Sequence, residues 1–201
     1  NPLKVYTAEE LAAINAFNQA GGMVILAGWS DNYENYDVIQ SNSSILHMAA
    51  AQNEVLSALG SSLRIGDDAT YDDTYNGGQA YRLYPETFNM ESQWTKGILT
   101  KDDVAEGENY QTYSQYSGCT VDPGSGTWLV KGFDTTYSID SDKDGIGGVA
   151  KGEAIFLAAE ETPYGGSIFV AGGVFMSNFE VAAELDNIWD LPYANRTIFE
   201  N

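Results

Sequence analysis

An α/β fold is predicted for this 201-residue chain, and three features of the sequence point to it. A capped, amphipathic stretch runs into Gly21-Gly22 and then into Met23-Val24-Ile25-Leu26-Ala27, a short apolar run typical of a strand buried on both faces. Two further runs of that kind, Ala154-Ile155-Phe156-Leu157-Ala158 and Ser167-Ile168-Phe169-Val170-Ala171, flank the turn Tyr164-Gly165-Gly166. Between these ends the chain turns rich in β-branched and aromatic residues.

The elements follow in order. Thr7-Ala8-Glu9-Glu10 is a capping box, in which Thr7 accepts from the backbone and Glu10 reaches back. Leu11, Ile14 and Phe17 then line an apolar helical face. After the strand at 23–27 come the turn Gly28-Trp29-Ser30-Asp31-Asn32 and a polar stretch through Ser44. A second helix is predicted over 49–59, with Val55, Leu56 and Leu59 apolar and Gly60 as its stop. Residues 79–84, 113–121, 127–130 and 135–139 read as strands, punctuated by Asn76-Gly77-Gly78 and Asp122-Pro123-Gly124. Residues 179–188 read as helical, and 193–199 as a terminal helix after Pro192. No repeat or low-complexity linker divides the chain, so one domain is expected over 1–201, with a β-rich insertion at about 70–150.

Nine Lys and Arg against twenty-nine Asp and Glu leave a net charge of −20. Phosphate backbones and anionic lipid repel such a surface, which argues against nucleic-acid binding and membrane adhesion; cations are its natural complement. Cys119 is the single cysteine, which excludes an internal disulfide and thiolate metal clusters. No apolar run approaches the ~20 residues that span a bilayer. The chain opens on Asn1 with no signal peptide, so it reads as a piece of a larger multidomain protein, with the other domains as its partners.

The sharpest motif is Asp140-Ser141-Asp142-Lys143-Asp144-Gly145. Alternating carboxylates in a tight turn converge on a hard cation, and the glycine allows the bend that brings in a later carbonyl. A calcium hand requires a bidentate Glu at the twelfth position, which here is Lys151, so Glu153 is expected to substitute in a longer loop. The expectation is one structural Ca2+ held by Asp140, Asp142, Asp144 and Glu153, in a secreted or cell-surface bacterial setting where calcium is plentiful. Asp67-Asp68 and Asp72-Asp73 read mainly as surface loop, since adjacent residues of an extended chain face opposite ways. Asp102-Asp103 with Glu106 and Glu108 reads as a solvated loop. Cys119 has no basic neighbour in sequence and is expected in the core. Tyr71, Tyr75, Tyr81, Tyr84, Tyr110, Tyr113 and Tyr116 either pack on half-exposed strands or stack against sugars.

The order of elements over 7–27, the turn Gly28-Trp29-Ser30-Asp31 and the 167–180 segment resemble the class I glutamine-amidotransferase-like fold. Asn76-Gly77-Gly78-Gln79, Arg82-Leu83-Tyr84 and Asp190-Leu191-Pro192-Tyr193-Ala194-Asn195-Arg196 resemble divergent domains of that fold in large secreted or surface bacterial proteins. The resemblance implies a flavodoxin-like, mostly parallel sheet with helices on both faces. It does not imply the activity. Ser30 stands where the nucleophilic Cys belongs, and Met176-Ser177-Asn178-Phe179-Glu180 lacks the activating His. Ser30 is then a weak nucleophile candidate, and Trp29, Ser30, Asp31, Asn178 and Glu180 are expected to line a polar cleft at the sheet edge. His47, the only histidine, reads as a packing or capping residue. The functional expectation is a non-catalytic scaffold or interaction domain with a calcium loop. Its alternatives are a hydrolase of amide, ester or peptide bonds using Ser30, and a module binding cell-wall or other glycans through the tyrosine-rich strands.

Overall fold

The structure, a computed structural model, describes residues 5–36, 47–177, 180 and 192–201. The capping box forms: Glu10 N–H donates to Thr7 Oγ1 at 3.3 Å and Thr7 N–H to Glu10 Oε2 at 2.9 Å, opening helix α1 (Ala8–Gln19). Phe17 of its expected apolar face is exposed, and the buried residue is Asn18. Asn18 Nδ2 donates to the carbonyls of Gly22 and Ser167, which ties the helix end to the sheet. Strand β1 (Met23–Ala27) follows, and helix α2 (Met48–Ala58) packs on α1.

The remaining strands are β2 (Arg64–Ile65), β3 (Ala69–Tyr71), β4 (Arg82–Leu83), β5 (Thr87–Phe88), β6 (Gln115–Tyr116), β7 (Val121–Asp122), β8 (Thr127–Lys131), β9 (Tyr137–Ile139), β10 (Ile155–Glu161) and β11 (Ser167–Ala171); helix α3 (Ala194–Glu200) ends the fold. The main sheet runs β1-β11-β10-β8-β5, while β2 with β7, β3 with β9 and β4 with β6 form small antiparallel ladders. Among the described strands only β1 and β11 pair in parallel. This overturns the expected mostly parallel, flavodoxin-like sheet: the fold is mostly β, built on a mixed sheet. The reason is local. Parallel neighbours joined in sequence need a crossover of a dozen residues or more. Residues 162–166 instead close a hairpin, with Thr162 N–H donating to Gly166 O at 2.8 Å. A wholly apolar run signals burial on both faces and says nothing of strand direction.

Both faces of the sheet are covered. Ile168 and Val170 of β11 join Ala158, Leu56, Leu63, Ile65, Val121 and Cys119 in one apolar cluster. Phe169 and Ala171, pointing the other way, join Phe156, Leu157, Leu129, Val130, Tyr113 and Ile198 in the second. Each fully buried Leu or Phe contributes roughly 1.5–3 kcal/mol. The β-rich middle of the chain gives β5 and β8 to the main sheet itself. The β3–β9 ladder leads into the 140–145 loop, which lies against the turn that leaves β1. The expected helix at 179–188 falls, except for residue 180, outside the described residues.

Candidate metal centre

A short 3-10 turn, Asp31–Asn35, follows β1, and Ser30 Oγ caps it by accepting from Asn32 N–H at 3.2 Å. Residues three apart on a 3-10 helix eclipse, so Asp31 and Glu34 present their carboxylates on one side. Both are buried, at 2% and 5% exposure. Asp31 Oδ2 accepts from Ser141 N–H at 2.7 Å and Asp142 N–H at 3.4 Å, which pins the acidic loop to this turn. Glu34 Oε1 accepts from Met48 N–H at 2.6 Å, at the start of α2. The second oxygens, Asp31 Oδ1 and Glu34 Oε2, are buried with no hydrogen-bond partner among the described residues.

The acidic loop is closed by its own backbone. Asp140 Oδ1 accepts from Lys143 N–H at 2.6 Å and Asp144 N–H at 3.2 Å, and Oδ2 from Gly145 N–H at 2.8 Å. Asp142 Oδ1 accepts from Asp144 N–H at 3.2 Å, and Asp144 Oδ1 from Ile146 N–H at 2.7 Å. This winding draws the carboxylates inward. The carboxylates of Asp140 and Asp142 come close to each other, and two ionised acceptors side by side repel unless a proton or a cation lies between them. One oxygen each from Asp31, Asp140 and Asp142 lie within 4.8 Å of one another.

The charge balance reflects that crowding. Burial, with the carboxylates of Asp142 and Asp68 adding to it, pushes Asp31 up to about 6 against two backbone hydrogen bonds. Burial and the carboxylates of Asp144 and Asp140 raise Asp142. Asp140 is also penalised by burial, but its backbone hydrogen bonds outweigh that and hold it low.

The predicted ligands are only partly brought together. Asp140, Asp142 and Asp144 stay in one loop, whereas Glu153 is exposed and belongs to none of the ligand groups found among the described residues. Asp31, more than a hundred residues away in sequence, approaches instead. The i, i+3 spacing of Asp31 and Glu34 is the one signal in the sequence that announces this pair. Asp67 also faces the centre, while its neighbour Asp68 turns into the protein. There Asp68 accepts from Thr120 N–H and the hydroxyls of Thr120 and Ser138 at 2.6–2.7 Å. Asp72 is a second buried hub, accepting from Thr74 N–H, Tyr75 N–H and the hydroxyls of Thr135 and Thr136. His47 opens α2 without a side-chain cap bond and turns Nδ1 toward Glu34, Asp67 and Asp144.

The expected polar cleft is not assembled from its described members. Trp29 packs against Tyr33, with ring centroids 5.3 Å apart and the ring planes tilted by 49°. Asp31 faces the acidic loop, and Glu180 accepts from Ser177 beside the buried Tyr113. Asn178 lies outside the described residues. Ser30 instead borders a 290 Å³ cleft lined by Tyr33, Tyr36, Tyr71, Tyr81 and Tyr116. Tyr113 is fully buried, so it offers no face to a sugar. Cys119 is buried as expected, and burial pushes its thiol well above the usual range. Glu108 and Asp103 close local exposed turns at 105–108 and 100–103.

No protein-family model matches the chain, and no curated protein matches it. Among solved structures it is similar to the "mmIFT52 N-terminal domain", at 13% identity and a TM-score of 0.48 over 84% of this chain. The match spans 60% of that structure's length.

Proposed function

We propose that this chain is a non-catalytic calcium-binding domain, serving as a scaffold or interaction module of a secreted or cell-surface protein. The observation that carries the reading is that one carboxylate oxygen each of Asp31, Asp140 and Asp142 lie within 4.8 Å of one another, while Asp31 is buried and its Oδ1 has no hydrogen-bond partner among the described residues. A calcium ion satisfies all three, accepts further carbonyl or water oxygens, and ties the 140–145 loop to the turn after β1. Asp31 takes the place first expected for Glu153. The hydrolase alternative loses support, because Ser30 Oγ accepts from Asn32 N–H and no acid or imidazole is among its described hydrogen-bond partners.

Thermal unfolding of metal-stripped protein, with and without millimolar calcium, tests the reading. Saturation at about 100 times Kd stabilises by about 2.7 kcal/mol, which for this size raises the midpoint by roughly 5–10 °C. Asp142→Ala abolishes the rise, Asp31→Asn reduces it, and Glu153→Gln leaves it intact. Superimposable curves for the parent protein in calcium and in its absence sink the proposal.

A second reading rests on the tyrosine cleft. Five tyrosine rings around 290 Å³ offer stacking faces for a sugar ring beside the hydroxyls of Ser30, Thr70 and Ser117. Glycan-array binding that disappears in Tyr81→Ala supports it; binding unchanged in that variant removes it.

A further inference from the structure

Beside the acidic loop the fold gathers a second set of ligand atoms, and one of them is a nitrogen. One ring nitrogen of His47 and one carboxylate oxygen each of Glu34 and Asp67 lie within 4.8 Å of one another. His47 Nδ1 is 3.7 Å from Glu34 Oε2, 3.7 Å from Asp67 Oδ2 and 3.2 Å from Asp144 Oδ2. Among the described residues neither Nδ1 nor Glu34 Oε2 has a hydrogen-bond partner, although both atoms are shut off from solvent and the Glu34 side chain is only 4% exposed. An imidazolium serving merely as counter-ion would aim its N–H along one carboxylate lone pair; here Nδ1 stands among three carboxylates and bonds to none. Ligands held ~2.0–2.1 Å from a tetrahedral ion stand about 3.3–3.4 Å apart, and the three separations around Nδ1 bracket that edge.

The surroundings hold this arrangement in place. Glu34 is oriented by the Met48 N–H on its other oxygen, as a metal-bound carboxylate is steadied from behind. Asp67 is fixed where its backbone carbonyl meets Gly147; a Cβ at that glycine would fall 1.7 Å from Asp67 O.

We propose that Glu34, His47 and Asp67, with Asp144 within reach of the imidazole from the acidic loop, form a second site, for a divalent transition-metal ion of the zinc type. Calcium takes oxygen ligands, whereas imidazole nitrogen favours zinc and its neighbours, so the one histidine separates the two sites by metal. The inference shares Asp144 with the loop but does not depend on calcium binding there.

Metal-stripped protein titrated with Zn2+ in saturating Ca2+, followed by calorimetry, tests it, with Co2+ absorption reporting the ligand field. One Zn2+ per chain at micromolar Kd or tighter is expected. His47→Gln weakens it by about 100-fold and Glu34→Gln, which keeps the acceptor for Met48 N–H, by at least about tenfold. Far-UV circular dichroism confirms that both variants fold. Asp140→Asn removes the calcium response while leaving Zn2+ affinity within about threefold, so failure of the calcium reading is seen separately. No uptake below about 1 mM Zn2+, uptake indifferent to both His47→Gln and Glu34→Gln, or a second Ca2+ that Zn2+ does not displace overturns the site.

Discussion

Asp67 and Asp68 are adjacent carboxylates with opposite surroundings, and substitution separates them. Asp68 is 1% exposed and accepts three hydrogen bonds. Asp68→Ala leaves Thr120 N–H and two hydroxyls without that acceptor and is expected to cost about 3 kcal/mol, read by urea denaturation. A loss under about 0.5 kcal/mol, the usual range for a surface residue, contradicts that hub. Asp67→Asn removes a half-buried charge that accepts no hydrogen bond from the described residues, so it is expected to stabilise the metal-free protein while weakening Zn2+ binding. A lower denaturation midpoint for metal-free Asp67→Asn argues against this account of Asp67. That the pair points to opposite sides was legible from strand alternation alone. The hub was not, because its hydroxyl partners lie 52 and 70 residues further along the chain. Ser30 shows the converse. Its place after β1 was legible, yet a local cap bond from Asn32, which the sequence also contains, occupies its oxygen.

The 140–147 segment works as an element because Gly147 lets it touch the chain at Asp67. At φ 88° with Asp67 O against it, that glycine has room for no side chain. Gly147→Ala deletes no ligand, but it must lift the loop away or strain the backbone by about 1–2 kcal/mol. Both metal affinities are then expected to fall about tenfold, measured by the same titrations. Unchanged affinities would show that the loop holds its shape without that contact. The loop's internal wiring was legible from its alternate carboxylates and glycine. Its docking partner was hidden, because Asp31 comes from the turn after β1 and only tertiary structure joins them. The same division runs through the sheet. The apolar runs located β1, β10 and β11, but the direction of β10 was written in the five residues of its turn. The resemblance to a parallel fold outweighed that turn, and the hairpin corrects it.

Across the whole molecule, the −20 charge makes proton and cation compete for the same carboxylates. Asp31 and Asp67 at about 6 and Glu34 at about 7 bind their protons more tightly in the folded chain than in the unfolded one, where 3.8 and 4.5 apply. Between about pH 4 and pH 7 the folded state therefore holds more protons, and stability must fall as pH rises through that window. Asp72 has the opposite sign. Burial penalises it, but four hydrogen bonds more than compensate and hold it below 3.8, so its contribution is lost only under more acid conditions. Metal-stripped protein is accordingly expected to unfold at a higher temperature at about pH 5 than at about pH 8. At the two proposed sites calcium and zinc would replace the protons, so adding both should raise the midpoint more at the higher pH and shrink or reverse the difference. The comparison belongs at fixed ionic strength, because salt alone screens the repulsion among surface carboxylates. A metal-free midpoint that climbs steadily from about pH 5 to pH 8 would show that these carboxylates do not hold their protons more tightly in the folded chain than in the unfolded one.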